Sequence, residues 1–255
     1  MSGIAFNYCI QLLGGFDVTR GGCSVPLGPS GERLVALLAC RAGPLSRHLA
    51  AGLLWPDRPE SRANANLRSA VYRVTSSHPD LIMSSSRRVA LSPSAYVDFQ
   101  VAVAVAHRII AGSTADLGAS AYEVLTSDLL PCWYEDDWVS EEREAFRQNR
   151  LHALEILCVS LAERGRYGEA VDAAFAVVRA EPLRESAHRA LVMVHLHEGN
   201  FGEALRQYDR CRTLLHDELG IDPSPRLHDL VFGSLPVSRR SCDAAVTPPM
   251  RPSCS

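Results

Sequence analysis

Lysine is absent from this chain, and so are long apolar runs. All 26 basic residues are arginine. No apolar stretch reaches the roughly 20 residues that a membrane-spanning helix requires. The sequence also shows no basic segment followed by a short apolar run, the pattern that would predict a signal peptide. We therefore expect a cytoplasmic protein without a membrane partner.

The eight cysteines do not indicate a metal site or a disulfide framework. No two of them form a C-x-x-C pair, and disulfides are rare in a reducing compartment. His195 and His197 are two residues apart, which places them on different faces of a helix. Cys40, Cys158 and Cys211 are therefore predicted to be small core residues. No Ser/His/Asp or Cys/His pattern indicates an enzyme, and we expect neither a metal nor a cofactor.

Charge is divided unevenly along the chain, although the net charge is only −3. Residues 1–97 contain 10 arginines and 5 acidic residues, whereas residues 98–255 contain 16 arginines and 24 acidic residues. The net charges of these two parts are therefore +5 and −8. A basic part joined to an acidic part is typical of a polyanion-binding module followed by a protein-contact module.

The first 97 residues have the pattern of a winged helix-turn-helix. Residues 7–18 contain two β-type segments separated by two glycines. A helix with Ser30 as its N-cap follows, and a second helix begins at Ser46. A third helix is predicted over 60–77, and residues 81–92 alternate in polarity like a hairpin.

The third helix has one apolar face and one face rich in arginine. A helix that enters the DNA major groove must bury one face and present hydrogen-bond donors on the other. The arginine-rich face has no neighbouring glutamates, which a merely solvated helix would use for ion pairs. The face predicted to be buried consists of Ala63, Leu67, Ala70, Val71 and Val74.

The polar face of this helix and two flanking positions are predicted to contact double-stranded DNA. Arginine can bind guanine through two hydrogen bonds, and asparagine can pair with adenine. Two residues at the start of the second helix are expected to bind a phosphate, and two arginines at the hairpin tip a minor groove or the backbone. The predicted contacts are Arg47, His48, Arg62, Asn64, Asn66, Arg68, Ser69, Tyr72, Arg73, Arg87 and Arg88.

The sequence after residue 97 reads as almost entirely helical and contains an internal repeat. RGRYGEA at 164–170 matches EGNFGEA at 198–204, an offset of 34 residues. This period is typical of tetratricopeptide repeats, and the small residues are expected to let paired helices approach closely. We thus predict a mainly α protein with a small β component, divided into a winged helix-turn-helix domain (1–97), a helical-repeat domain (98–237) and a tail expected to be disordered (238–255).

An acidic run at 135–144 follows Trp133 and Tyr134 and contains Trp138. Paired carboxylates occur in acid–base catalysis and in cation sites. This run, however, stands where a helix is expected to begin, and acidic side chains there stabilise the helix through its dipole. We therefore interpret the run as structural.

Three segments resemble the Streptomyces antibiotic regulatory protein family. LLWPDRPESRANANLRSAVYRV (53–74) resembles its DNA-binding segment, LLPCWYEDDWVSEEREAFRQNRLHALE (129–155) the opening of its bacterial transcriptional activation domain, and DELGIDPSPRLHDL (217–230) the close of that domain. The resemblance implies a pathway-specific activator of a secondary-metabolite gene cluster, associated with the nucleoid. Such an activator binds direct repeats near the −35 element. It recruits RNA polymerase holoenzyme, including its sigma factor. Because a net charge of +5 gives one copy only weak DNA binding, we expect a homodimer or paired monomers on the DNA.

Two departures from the family pattern concern the predicted DNA contacts. The hairpin reads SSSRRVAL without the family's frequent Gly-Tyr pair, and Arg73-Val74 is followed by Thr75-Ser76-Ser77 instead of a second basic pair. The alternative is a protein-interaction scaffold that uses the helical repeats and whose winged helix does not bind DNA.

Overall fold

The computed structural model describes residues 6–113, 119–134 and 136–234. The tail predicted at 238–255 and Glu135 of the acidic run lie outside the described residues. The strands are β1 (Tyr8–Gln11), β2 (Asp17–Arg20), β3 (Cys23–Ser24), β4 (Leu45–Ser46), β5 (Ile82–Ser84), β6 (Arg88–Leu91) and β7 (Ala95–Val97). The helices are α1 (Gly28–Cys40), α2 (Arg47–Leu54), α3 (Glu60–Ser77), α4 (Asp98–Ile110), α5 (Ala119–Thr126), α6 (Asp137–Glu163), α7 (Tyr167–Ala180), α8 (Glu185–His197), α9 (Phe201–Leu219) and α10 (Pro225–Ser234).

Two small sheets accompany α1, α2 and α3 in the N-terminal part. The first has the order β3-β2-β1-β7, and its β1 pairs antiparallel with β2 and parallel with β7. The second has the order β4-β6-β5, in which β5 and β6 form the predicted hairpin. The mainly α fold with a winged helix-turn-helix is confirmed. Strands β3, β4 and β7 were not predicted, because two or three residues are too few to show an alternating pattern.

The first helix begins earlier than predicted. The sequence suggests Ser30 as the N-cap, but α1 begins at Gly28 and Leu27 occupies the cap position. Pro29 accounts for the difference, because its fixed φ suits the first turn and its missing N–H is not needed there. Ser30 therefore lies inside the first turn of α1.

The two repeated heptapeptides lead into α7 and α9. Their alanines, Ala170 and Ala204, are fully buried and belong to the hydrophobic clusters of the helical part. Gly168 and Gly202 were also expected to allow close approach, but a Cβ at either position would meet nothing within 4 Å. That part of the prediction is wrong, because both glycines lie on an exposed side of their helices. The tetratricopeptide assignment itself stays a prediction.

One hydrophobic core joins the N-terminal part to the beginning of the helical part. Phe99 of α4 and Trp138 and Phe146 of α6 belong to the same buried cluster as the inner faces of α1, α2 and α3. The rings of Phe99 and Phe146 meet edge to face, with centroids 5.1 Å apart. Two further clusters lie within the helical part.

Polar contacts cross the same boundary. The Asp98 carboxylate accepts hydrogen bonds from the backbone N–H groups of Leu12 and Leu13, at 2.8 Å and 3.1 Å. Arg33 of α1 forms an ion pair with the buried carboxylate of Asp136, just before α6. The division of the chain at residue 97 therefore stays a prediction, and the two parts it separates are firmly in contact.

His188 of α8 is buried with both ring nitrogens occupied. Its Nε2 donates to the carbonyl oxygen of Pro182 at 2.8 Å, and its Nδ1 lies 2.6 Å from the side-chain amide nitrogen of Gln207, from which it accepts. Burial lowers the pKa of His188, and the positive charge of Arg210 lowers it further, against opposing contributions from the Pro182 carbonyl and Glu185. The ring is therefore neutral at pH 7.

A stability change below neutral pH is expected from His188. Its pKa is lower in the folded chain than in the unfolded chain, where histidine titrates at about 6.5. The unfolded chain therefore takes up the proton first, and the free energy of unfolding should decrease as the pH falls below about 6.5. Urea titrations at neutral and mildly acidic pH measure this decrease. In His188→Gln the decrease should be smaller, and an identical decrease in both proteins would contradict the assignment.

Candidate nucleic-acid interface

The apolar face of α3 is fixed against the rest of the N-terminal part. The predicted buried residues of α3 are confirmed, since Ala63, Leu67, Ala70, Val71 and Val74 are all buried. Gly31 lets α1 approach closely, because a Cβ there would lie 3.1 Å from Cγ2 of Val74. The helix can therefore hold its other face in one orientation.

That other face of α3 is open to solvent. Tyr72 is 72% exposed, and Arg62 and Arg68 are also exposed. Asn64 and Asn66 are half-buried because the helical period places them at the two edges of the apolar stripe. Within the described residues, neither Arg62 nor Arg68 has an acidic side chain within ion-pair distance. Their guanidinium groups are available to a ligand.

The last arginine of this face is held by its own molecule. Arg73 donates from Nε to the backbone oxygen of Ser69 at 3.2 Å and from Nη2 to the hydroxyl of Ser30 at 2.9 Å. The Ser69 hydroxyl in turn donates to the carbonyl of Ala65 at 3.1 Å. Arg73 is exposed but points along the helix toward the start of α1, so it is less free than Arg68.

The start of α2 contacts the hairpin. The second helix was predicted to begin at Ser46, and Ser46 is its N-cap, because its hydroxyl accepts a hydrogen bond from the Leu49 N–H at 3.2 Å. The Arg47 guanidinium donates to the Ser84 hydroxyl at 2.7 Å, and the Arg47 N–H donates to the carbonyl of Arg87 at 2.9 Å. The hairpin tip is therefore anchored to the first turn of α2.

The start of α2 also contacts the start of α3. Nδ1 of His48 lies 3.2 Å from Oε1 of Glu60, and both side chains are largely exposed. Arg87 and Arg88 at the hairpin tip are exposed, and neither has an acidic partner among the described residues. These contacts place the predicted DNA-binding residues on connected elements. We call the set the basic surface: Arg47, His48, Arg62, Asn64, Asn66, Arg68, Ser69, Tyr72, Arg73, Arg87 and Arg88.

Two residues that support the basic surface were not found from the sequence. Ser30 holds Arg73 across 43 positions of the chain, and Ser84 holds Arg47 across 37. Neither serine stands in a local pattern that would reveal such a partner. Only the folded arrangement of α1, α2 and the hairpin shows these two contacts.

The acidic run has structural partners where the structure describes it. Asp136 accepts hydrogen bonds from Arg33 and from Nε1 of Trp138, the latter at 3.2 Å. Glu142 pairs with Arg41 of α1 at 3.0 Å. These contacts support the structural interpretation of the run and tie the start of α6 to α1.

The cysteines and histidines of the described ranges show no metal centre. Cys40, Cys158 and Cys211 are buried as predicted, and burial raises the pKa of Cys158 to about 12 and of Cys211 to about 11. No group of three or more His, Cys, Asp or Glu side chains in these ranges could hold a metal ion. Within the same ranges, the helices are all too short or too polar to cross a membrane.

Comparison with known proteins identifies the second part of the chain. The family model described as bacterial transcriptional activator domain matches residues 112–231. The regulatory protein AfsR of Streptomyces coelicolor is 29% identical over 237 residues, which cover 86% of this chain and 23% of that protein. AfsR of Streptomyces griseus is 28% identical over 215 residues, which cover 79% of this chain and 22% of that protein. The chain thus spans less than a quarter of the length of these curated relatives.

A solved structure shows the same fold. EmbR of Mycobacterium tuberculosis, determined in complex with a low-affinity phosphopeptide, superposes with a TM-score of 0.69. The match covers 89% of this chain and 64% of the EmbR chain, at 22% sequence identity. The likeness therefore extends over both the winged helix and the helical part. Residues 112–231 thus match a bacterial transcriptional activator domain, most of the chain is similar in sequence to the two AfsR regulatory proteins, and its fold is that of EmbR.

Proposed function

We propose that the chain is a sequence-specific DNA-binding transcriptional activator that binds double-stranded DNA through the basic surface. In this proposal α3 enters the major groove and the hairpin tip contacts the adjacent backbone or minor groove. The regulated genes would be those of a secondary-metabolite (antibiotic) biosynthetic cluster, in a cytoplasmic, nucleoid-associated setting. The activator-domain match and the similarity to the AfsR regulatory proteins support this function, and the local geometry supports the basic surface as the DNA-binding face.

One observation supports the proposal most directly: the first turn of α2 contacts both the hairpin and α3. Arg47 holds the hairpin through Ser84, and His48 lies against Glu60 at the start of α3. The elements that carry the free guanidinium groups of α3 and of the hairpin tip are therefore held together. Among the described residues, no acidic side chain pairs with these guanidinium groups. Preorganised donors of this kind suit a phosphate backbone with base edges between its strands.

The residues of the basic surface have different proposed roles. Arg62 and Arg68 are free to bind guanine. Asn64 and Asn66 lie closer to the apolar face of α3 and would reach adenine only from the edge of the exposed face. Arg73 would bind a phosphate while it keeps its hydrogen bond to Ser30, because its guanidinium has further donors to offer. His48 would also bind a phosphate, which would replace Glu60, the partner of His48 among the described residues.

The affinity of one copy for DNA is expected to be modest. If a monomer neutralises about five phosphates, log K should fall with log salt concentration with a slope of about −4 to −5. Two copies on adjacent half-sites would add their contacts, which supports binding to direct repeats near a −35 element as a homodimer or as paired monomers. Mobility-shift titrations over a salt series with DNA upstream of the neighbouring biosynthetic genes measure the slope. A slope near zero, or no shifted complex, would favour the scaffold interpretation.

The acidic helical part is proposed to contact RNA polymerase holoenzyme, including its sigma factor. Its net charge of −8 over residues 98–255 suits a protein partner and disfavours a second DNA contact. Because the helical part is anchored on α1 through Arg33 and Arg41, a polymerase bound to it would have a fixed position relative to the operator. Footprinting with and without polymerase on the same promoter tests this: the chain should extend the polymerase footprint only when both are present.

A further inference from the structure

A groove in the helical part lies away from the basic surface. It runs between α7 and α9 beside the start of α8, is open to solvent and has a volume of about 800 Å³. We call it the α7–α9 groove. The apolar side chains that line it are Phe175, Val178, Pro182 and Leu214.

His188 of α8 lines the floor of the groove, and its hydrogen bonds are already made within the protein. His188 is 1% exposed, and its two ring nitrogens are occupied by Pro182 and Gln207. No donor or acceptor of this ring is left for a ligand, so the floor of the groove is uncharged and largely apolar, and its charged residues stand on the rim. Pockets of 300–1,000 Å³ with apolar walls and a few polar groups at the edge are the usual binding sites of small organic molecules.

The rim of the groove carries two arginines without acidic partners. Arg179 stands in the last turn of α7 and Arg210 in the middle of α9. Within the described residues, no carboxylate lies within ion-pair distance of either guanidinium. Of the two acidic residues on the rim, Asp209 already pairs with Arg212 at 3.8 Å, whereas Asp217 stands in the last turn of α9.

We propose that the α7–α9 groove binds a small apolar molecule that carries one acidic group. The apolar body lies against Phe175, Val178 and Leu214, and the acid accepts charge-assisted hydrogen bonds from Arg179 and Arg210. The arginines without partners are the reason for choosing an acid, because a guanidinium gains most from an anionic acceptor in a partly apolar setting. The site is independent of the DNA contacts and does not depend on the proposed operator.

Binding of decanoate, compared with decan-1-ol, to the full chain tests the site. Both probes share the apolar tail, and only decanoate carries the acid. In isothermal titration we expect one decanoate per chain, bound about tenfold more tightly than the alcohol. Arg179→Gln and Arg210→Gln should each bring decanoate down toward the affinity of the alcohol. The matched control on the same rim is Asp217→Asn, which should leave decanoate binding unchanged or tighten it.

A bulky side chain in the groove separates this site from non-specific binding. Leu214→Trp should block both probes. Thr213→Trp, at an exposed rim position, should also block them and serves as the test if Leu214→Trp does not fold. The proposal is overturned if decanoate does not bind or binds no more tightly than the alcohol. It is equally overturned if only Asp217→Asn weakens binding, or if decanoate still binds to both tryptophan variants. If the groove instead binds a helix of another protein, decanoate should not bind, which is the first of these overturning results.

Discussion

Replacing Arg68 with alanine is expected to weaken operator binding by about 10- to 100-fold, the loss that follows removal of one bidentate guanine contact. The side chain is exposed on α3 and holds no other described part of the protein. Its loss should therefore change the free energy of unfolding by less than about 0.5 kcal/mol. Mobility-shift titration at fixed salt measures the first quantity, and urea denaturation measures the second.

Two matched variants make the Arg68 result specific. Arg212→Ala removes the same charge from an exposed position on α9 and should leave DNA binding within about twofold of the original protein, because distant charges are screened by salt. Arg73→Ala should weaken binding less than Arg68→Ala, since the Arg73 guanidinium is already engaged with Ser30. Unchanged DNA binding by Arg68→Ala, with the protein folded, would show that the outer face of α3 is not the reading face.

Replacing Trp138 with alanine is expected to destabilise the whole chain by about 3–5 kcal/mol, the usual cost of deleting a large buried aromatic side chain. Trp138 is 3% exposed and belongs to the core that α6 shares with α1, α2 and α3. Its indole N–H also donates to Asp136, the partner of Arg33. The loss should therefore appear in both parts of the protein in one urea transition.

Tyr134 provides the control for Trp138. It lies four residues earlier and is 79% exposed, so Tyr134→Ala should change stability little. If Trp138→Ala lowers the transition of the helical part alone and leaves that of the winged helix unchanged, the shared core is not cooperative.

A truncation after residue 97 would then fold by itself. We expect instead that the truncated protein loses stability, because it exposes the surface that Phe99 and Trp138 cover.

The elements of the fold were largely predictable, and the details of the surface were not. The buried stripe of α3 follows from a period of 3.6 residues and needs no information from elsewhere in the chain. The half-burial of Asn64 and Asn66 follows from the same period, at its edges. Strand β7, in contrast, exists because it pairs with β1 in parallel, and its three residues give no pattern of their own. Ser30 failed as an N-cap because the proline before it let the helix begin earlier.

The amino-acid order alone determined which segments are helical, which face of α3 is apolar, and where the 34-residue repeat lies, because each depends on the periodic placement of side chains close together in the chain. Only the tertiary structure decided that Arg68 is free while Arg47 and Arg73 are held, and that the two parts share one core. These properties depend on pairs such as Arg33 and Asp136, which are 103 positions apart. Contacts over such distances form only when the packing of whole helices and strands brings them together, and no local pattern records them.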